Sequence, residues 1–515
     1  MNSKLTPSAA HARAPRWWQT GVVYEIYPRS FADTNADGIG DLAGISSRLD
    51  YLAWLGIDAI WIAPFYPSPM ADFGYDVSDY TDVDPLFGTM ADFDELVREA
   101  HARGIRVVID YVPNHTSDQH PWFRESRASR ESPKRDWYYW RDPRPGEELP
   151  NNWISMFAGP AWELDEATGQ YYLHTFLKEQ PDLNWRNADA RAAMFDAARF
   201  WLDRGVDGFR IDVAPMVMKD PELRDNPPNA NWDPTHRMGT WTQQLHLHDH
   251  AHPDMHPLYR DFRRLLDSYE GDRVSIGELH HPEFARWAAY YGEQQDEIHV
   301  PFNFHLLHAP WTSDGVRAAV EGVEGVLPAG AYANWVLNNH DQPRSASPHR
   351  AGRAQARVGM LLLLALRGTP TLYYGEEIGM VDVPVATEDS HDPLERREPG
   401  RGRDPERSPM QWDAGPNAGF CPAGVRPWLP LARDATEVNV AAQAEDPDSL
   451  LTLTRRLLRL RREHPLLSGG GFEAFGPTPD GTFAFRRTGA DGRLAVVLNL
   501  TAEERRERHE DSQPV

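Results

Sequence analysis

The stretch Ile105-Arg106-Val107-Val108-Ile109-Asp110-Tyr111-Val112-Pro113-Asn114-His115 is an apolar run that finishes in an acid, an amide and an imidazole. Consecutive apolar residues, instead of an apolar–polar alternation, describe a strand covered on both faces, as in a parallel sheet. A strand buried in this way has no packing reason to end in a carboxylate. Working outward, seven further short runs of this kind occur at 22–26, 57–62, 206–212, 274–278, 297–302, 333–338 and 369–374. Helix-like patterns separate them at 45–55, 90–103, 187–203, 258–269 and 355–367. Eight strands alternating with helices predict an α/β fold, a (β/α)8 TIM barrel whose chemistry sits at the C-terminal strand ends.

Two intervals are too long for ordinary connections of such a barrel. Residues 112–186, rich in Trp, Pro and Arg, read as a subdomain inserted after the third strand. Residues 376–442 have Pro/Gly/Asp/Arg character and little periodicity, which predicts a long ordered loop over the barrel mouth. A helix at 450–462 and short strands at 472–475, 483–487 and 494–500 predict a small C-terminal β domain at 443–515, short or truncated, with a frayed charged end at 503–515. The expected division is a tail at 1–16, a barrel at 17–111 and 187–442, the insert at 112–186 and the C-terminal domain.

The 515-residue chain carries 77 acidic against 53 basic side chains, a net charge of −24. That balance argues against nucleic acid or an anionic membrane as partner, since both require an excess of Lys and Arg. The single cysteine, Cys421, excludes an internal disulfide framework. The longest apolar run, 359–366, is too short to span a bilayer, and 1–16 has no apolar segment of the kind a secretion signal needs. The expectation is a soluble, cytoplasmic, globular protein. Eighteen Trp and eighteen Tyr suit sugar faces as well as ordinary cores, so composition by itself names no activity.

The strand ends do more. The third gives Asp110, Asn114 and His115; the fourth gives Gly208-Phe209-Arg210-Ile211-Asp212; the fifth gives Gly277-Glu278; the seventh gives Asn338-Asn339-His340-Asp341. Acidic groups converging on one rim suit cleavage of a glycosidic bond, where one carboxylate attacks the anomeric carbon and one carboxylic acid protonates the leaving oxygen. Arg210 lies two residues before Asp212 on the same strand and so projects to the same face. A fixed cation there is expected to keep Asp212 ionised, while Glu278 is the better proton holder.

These motifs, together with Gln180-Pro181-Asp182-Leu183-Asn184 and Ser408-Pro409-Met410-Gln411-Trp412, resemble the α-amylase superfamily, glycoside hydrolase family thirteen, and within it the α-glucosidase and oligo-1,6-glucosidase group. The resemblance covers roughly 17–500. It implies Asp212 as nucleophile, Glu278 as general acid/base and Asp341 as stabiliser of the transition state. By the same matching, Asp72, Tyr75, His115, Arg210, His340 and Arg403 line the subsite for the terminal glucose, with Phe157 and Phe176 at its edge. Asp72 and Arg403 would close the pocket and make the enzyme exo-acting on short chains. Arg403 is one of three arginines (401, 403 and 407) in a short loop stretch. Val213, directly after the nucleophile, goes in this group with acceptance of α-1,6 bonds, whereas 219–228 looks like enzymes of broader or α-1,4 preference. The implied activity is a retaining α-glucosidase acting on small oligosaccharides, with oligo-1,6-glucosidase second. A same-fold isomerase or transglucosidase, of the trehalose synthase or sucrose isomerase type, is the third reading. No organic cofactor is implied, and the oligomeric state, monomer or homodimer, is left open.

Residues 33–41 place oxygen donors at alternate positions with a glycine at the sixth, like the first half of a calcium loop. The bidentate Glu expected at the twelfth position is replaced by Gly44, so a true EF-hand is not formed. The resemblance implies a structural Ca2+ or Mg2+ on Asp33, Asn35, Asp37, the Ile39 carbonyl and Asp41, away from the carboxylates; the alternative is a loop of Asx turns without metal. His246, His248, His250 and His252 are read as a solvated loop in preference to a zinc site. Trp137-Tyr138-Tyr139-Trp140 is read as core of the insert, and the arginines of 455–462 as an ordinary helix face.

Overall fold

The computed structural model describes residues 15–236, 238–475, 480–490 and 492–505. Apart from residues 15–16 and 503–505, the expected tail and the charged end lie outside the described residues. The barrel strands are β1 (Val23–Ile26), β2 (Ala59–Ile62), β3 (Arg106–Tyr111), then, after three strands of the insert, β7 (Gly208–Ile211), β8 (Val274–Gly277), β9 (Val300–Pro301), β10 (Asn334–Trp335) and β11 (Thr369–Tyr373). They form one eight-stranded sheet in the order β10-β11-β1-β2-β3-β7-β8-β9, with every pairing parallel. Each run expected at the eight positions holds one of these strands, shortened at the ends. The expected runs 297–302 and 333–338 contract most, to two residues each in β9 and β10.

The strands sort their side chains with period two. Val23, Ala59, Trp61, Val108, Val274, Ile276 and Val300 pack together in one cluster inside the barrel. Their neighbours Tyr24, Ile26, Ile60, Ile62, Val107, Ile109, Phe209 and Ile211 belong to the large core shared with the surrounding helices. Two residues beyond Val23, Val108 and Ile276 on the inward face come Glu25, Asp110 and Glu278, all buried. Arg210 and Asp212 alternate with Phe209 and Ile211 in the same way. The register that fills the barrel floor with aliphatics therefore sets the charges above it.

Two departures of the helices from expectation have a clear physical reason. The pattern at 45–55 is two helices, Leu42–Ser47 and Leu49–Leu55, parted at Arg48, whose backbone (φ −108°, ψ 4°) is not helical. Ser313–Val326 is a helix that the sequence reading did not single out. It contains Gly315, Gly322 and Gly325, each unfavourable by roughly 1 kcal/mol in a helix interior. The helix persists because Thr312 caps it onto the Gly315 N–H and because Val316, Ala319, Val320 and Val323 fall on one buried face.

In the insert, β4 (Trp140–Arg141), β5 (Trp162–Asp165) and β6 (Gln170–Leu173) form an antiparallel sheet in the order β4-β6-β5. Tyr138, Tyr139 and Trp140 are buried, as the core reading of that tetrad required. The 376–442 stretch is a succession of short helical turns, among them Pro393–Arg397 and Asp404–Arg407. Beyond the helix Leu450–Glu463, β12 (Gly471–Ala474), β13 (Thr482–Gly489) and β14 (Gly492–Asn499) make a three-stranded antiparallel sheet.

Candidate active site

Arg210 is the hub of the barrel mouth. Its Nη1 lies 2.8 Å from Asp110 Oδ1 and 2.8 Å from Asp212 Oδ1, and its Nη2 lies 2.6 Å from Glu278 Oε2. Three carboxylates thus share one buried guanidinium, whose planar fork can serve several oxygens at once. Glu278 receives two further contacts: the Val213 N–H donates to Oε2 at 2.9 Å, and His280 Nε2 lies 2.9 Å from Oε1. Val213 reaches it by adopting a left-handed backbone (φ 38°, ψ 47°), a conformation that is strained for a β-branched residue by about 1–3 kcal/mol. The local strain turns the chain after Asp212 so that its next N–H meets Glu278.

Burial, reinforced by the charges of Glu278, Asp110 and Asp341, outweighs Arg210 and pushes the Asp212 carboxyl well above the usual carboxylate range. Burial also acts to raise Glu278, but Arg210 and the His280 hydrogen bond prevail and bring it down to about 2. Arg210 does not serve Asp212 alone. Asp341 is only half-buried, and His340, Arg403, Arg407 and Arg210 hold it below the ordinary range.

A second network closes the other side. Arg403 Nη2 lies 2.7 Å from Asp72 Oδ1, Nη1 lies 3.2 Å from Asp341 Oδ1, and Nε lies 2.8 Å from Asp392 Oδ2. Arg407 Nη2 adds a 2.8 Å contact to Asp341 Oδ1. Arg401 instead meets Glu398 and the Pro234 carbonyl, which separates the three arginines of that stretch. Tyr75 Oη sits 2.7 Å from His340 Nε2 and 3.2 Å from Asp110 Oδ2. His115 Nε2 lies 3.0 Å from the Gln180 amide, which also donates to Asp72 Oδ2 at 3.2 Å; burial lowers the imidazole to about 4. Phe157, Phe176 and Val213 pack in one apolar cluster, and the Arg403 guanidinium stands 5.4 Å over the Phe157 ring.

The structure therefore brings Asp212, Glu278, Asp341, Asp72, Tyr75, His115, Arg210, His340 and Arg403 into one network, with Phe157, Phe176 and Val213 at its edge. Sequence reasoning passed over Asp392, which holds Arg403 in a stretch without periodicity, and the role of Gln180, although its motif had been singled out. The Asp33–Asp41 loop is different. Asp33 accepts the N–H groups of Asn35, Ala36 and Gly38, Asn35 accepts that of Asp37, and Asp37 accepts that of Ile39. Asp41 caps the following helix at the Gly44 N–H. Among the described residues, no three Asp, Glu, His or Cys side chains converge to hold a metal ion.

A (β/α)8 barrel with a carboxylate pair on a shared arginine and a third carboxylate opposite is the arrangement of a glycoside hydrolase. The α-amylase catalytic-domain family model matches residues 25–470. A protein named "Probable alpha-glucosidase" from Rhizobium meliloti (strain 1021) is 42% identical over 502 residues, covering 95% of this chain and 90% of that protein. An oligo-1,6-glucosidase from Parageobacillus thermoglucosidasius is 39% identical over 523 residues, covering 94% and 90%. Among solved structures, an α-glucosyl transfer enzyme, XgtA, superposes with a TM-score of 0.90 at 42% identity over 95% of this chain and 92% of that one. The isomaltulose synthase SmuA from Protaminobacter rubrum does so at 0.86 and 34%, covering 97% and 93%. The chain belongs to the α-amylase family.

Proposed function

We propose that this glycoside hydrolase is a retaining, exo-acting α-glucosidase that removes the terminal non-reducing glucose from short α-glucosides of the maltose or isomaltose type. The observation that carries the reading is the Arg210 bridge, with Asp212 and Glu278 on the two nitrogens of one guanidinium. Carboxyl groups held that close leave no room for an attacking water between them and the sugar, which favours double displacement over inversion. Asp212 attacks the anomeric carbon while Glu278 protonates the departing oxygen. Glu278 then takes a proton from water, which releases glucose with its configuration retained. The chemistry needs the proton on Glu278 and the charge on Asp212. Asp341 stabilises the positive charge that develops on the ring.

Exo action is supported by the Asp72–Arg403 ion pair and by Asp392 behind it, which wall off the far side of the site. Tyr75, His115 and His340 offer the hydrogen bonds for the terminal sugar, and Phe157, Phe176 and Val213 offer its apolar edge. Transfer to a sugar acceptor is the second reading, favoured by the likeness to an α-glucosyl transfer enzyme and an isomaltulose synthase. Specificity for α-1,6 bonds, supported by Val213 and by the oligo-1,6-glucosidase relatives, is the third.

The same proposal divides the chain into a barrel (17–111 and 187–442), an insert (112–186) and a C-terminal domain (443–515), and places it in the cytoplasm. No helix among the described residues is long and apolar enough to cross a membrane. A Ca2+ or Mg2+ at the Asp33–Asp41 loop enters only as a structural ion, for which the alternate oxygen donors are the support, and no step is routed through it. The deciding experiment follows glucose release from maltose and isomaltose side by side, with isomer formation monitored. Free glucose from either disaccharide supports the hydrolase. Accumulating isomers with little glucose would replace it with the isomerase.

A further inference from the structure

Glu25 is a buried carboxylate that this mechanism leaves unused. It lies in mid-β1, between Trp61 of β2 and Tyr373 of β11 in register, and is wholly inaccessible to solvent. Its Oε1 is 2.5 Å from His340 Nδ1, and its Oε2 has no hydrogen-bond partner. The His340 ring is clamped between Tyr75 (5.6 Å, 5° between planes) and Tyr27 (5.8 Å, 14°), so it cannot turn to seek other partners.

His340 Nε2 faces Tyr75 Oη at 2.7 Å and Asp341 Oδ2 at 3.2 Å. An ionised Glu25 can only accept, so its contact is satisfied when Nδ1 carries the ring hydrogen. Other charged or titratable groups that face this cluster include Asp110 on β3, Arg210 on β7, Tyr373 on β11, Tyr75 after β2, Tyr27 after β1, Arg403 beside Asp341, and Arg407, which donates to the His340 carbonyl.

We propose that Glu25 is a positioning residue for the terminal-glucose subsite. Its carboxylate fixes the His340 ring through Nδ1 and so aims Nε2 toward Tyr75, Asp341 and the sugar. The inference rests on the α-glucosidase reading and adds to it a group that never touches substrate.

The test measures kcat and KM for 4-nitrophenyl α-glucoside in wild type, Glu25→Gln, His340→Gln and the double variant, with melting temperatures. Glu25→Gln keeps the shape and removes the charge. It is expected to lower kcat/KM by about tenfold or more. In the His340→Gln background the same substitution should cost nothing further. Glu25→Asp retains the charge but draws it back by one methylene; it should recover part of the activity lost in Glu25→Gln, and it carries the test should the Gln variant not fold. A folded Glu25→Gln enzyme with wild-type kcat/KM overturns the proposal, and so does an undiminished loss in the His340→Gln background. A wild type inert on every α-glucoside would instead remove the functional reading itself.

Discussion

The barrel rim and the Asp33–Asp41 loop are both acid-rich, and both stand out in the sequence, yet the structure uses their carboxylates in opposite ways. On the rim, Asp110, Asp212, Glu278 and Asp341 arrive from four different strand ends and meet over Arg210, Arg403 and Arg407. In the loop, each acid turns back on its own segment and accepts backbone N–H groups two to five residues away, or caps the next helix. Convergence from distant segments concentrates charge where water is excluded and makes chemistry; local satisfaction makes a turn. Alternate acids along a chain do not by themselves distinguish the two.

The largest effect that would sharpen this contrast is expected at the hub. Arg210→Met leaves three buried carboxylates without their common partner. Breaking a buried ion network of this kind costs about 3–5 kcal/mol, so chemical denaturation should show a stability loss of that order together with loss of turnover. A variant as stable as wild type would show that the rim, like the loop, is held by local contacts.

A smaller effect tests burial at the rim through pH. Burial keeps the His115 ring at about 4, well below its ordinary value near 6.5. Between those values the unfolded chain binds a proton that the folded chain refuses, so this histidine's contribution to stability falls as pH drops from about 6.5 to about 4. His115→Asn removes the titrating group. Its stability relative to wild type should therefore improve as the solution is acidified, by at most about 3 kcal/mol below pH 4. Parallel curves of unfolding midpoint against pH would contradict a buried neutral ring.

The smallest effect belongs to the loop. Asp37→Ala removes the acceptor for the Ile39 N–H and should cost about 1 kcal/mol, with kcat unchanged. Chelation should leave the melting temperature where it is if Asx turns account for the loop. A chelator-sensitive melt, restored by Ca2+ or Mg2+, would establish the structural ion instead.

Much of this was legible before any coordinates. The eight apolar runs and the inward step of two residues from Val108 to Asp110 and from Ile276 to Glu278 are periodic features, and periodicity survives in a bare sequence. The Ser313–Val326 helix was hidden because its glycines lower the local propensity that tertiary packing overrides. Glu25 was passed over because it sits in the middle of a run read as apolar. Asp392 comes from a stretch with no period, and only the folded loop brings it to Arg403. The division of one guanidinium among Asp110, Asp212 and Glu278 is likewise something spacing does not encode.

The central claim is that Asp212 is the nucleophile of a double displacement, and labelling tests it most directly. Wild type and Asp212→Asn are incubated with a fluorinated α-glucosyl fluoride, which slows breakdown of a glycosyl-enzyme, and digested for peptide mass analysis. The account predicts one glucosyl adduct on the peptide bearing Asp212, absent from a folded and inactive Asp212→Asn enzyme. An adduct on another acid, or undiminished turnover in that variant, would contradict it.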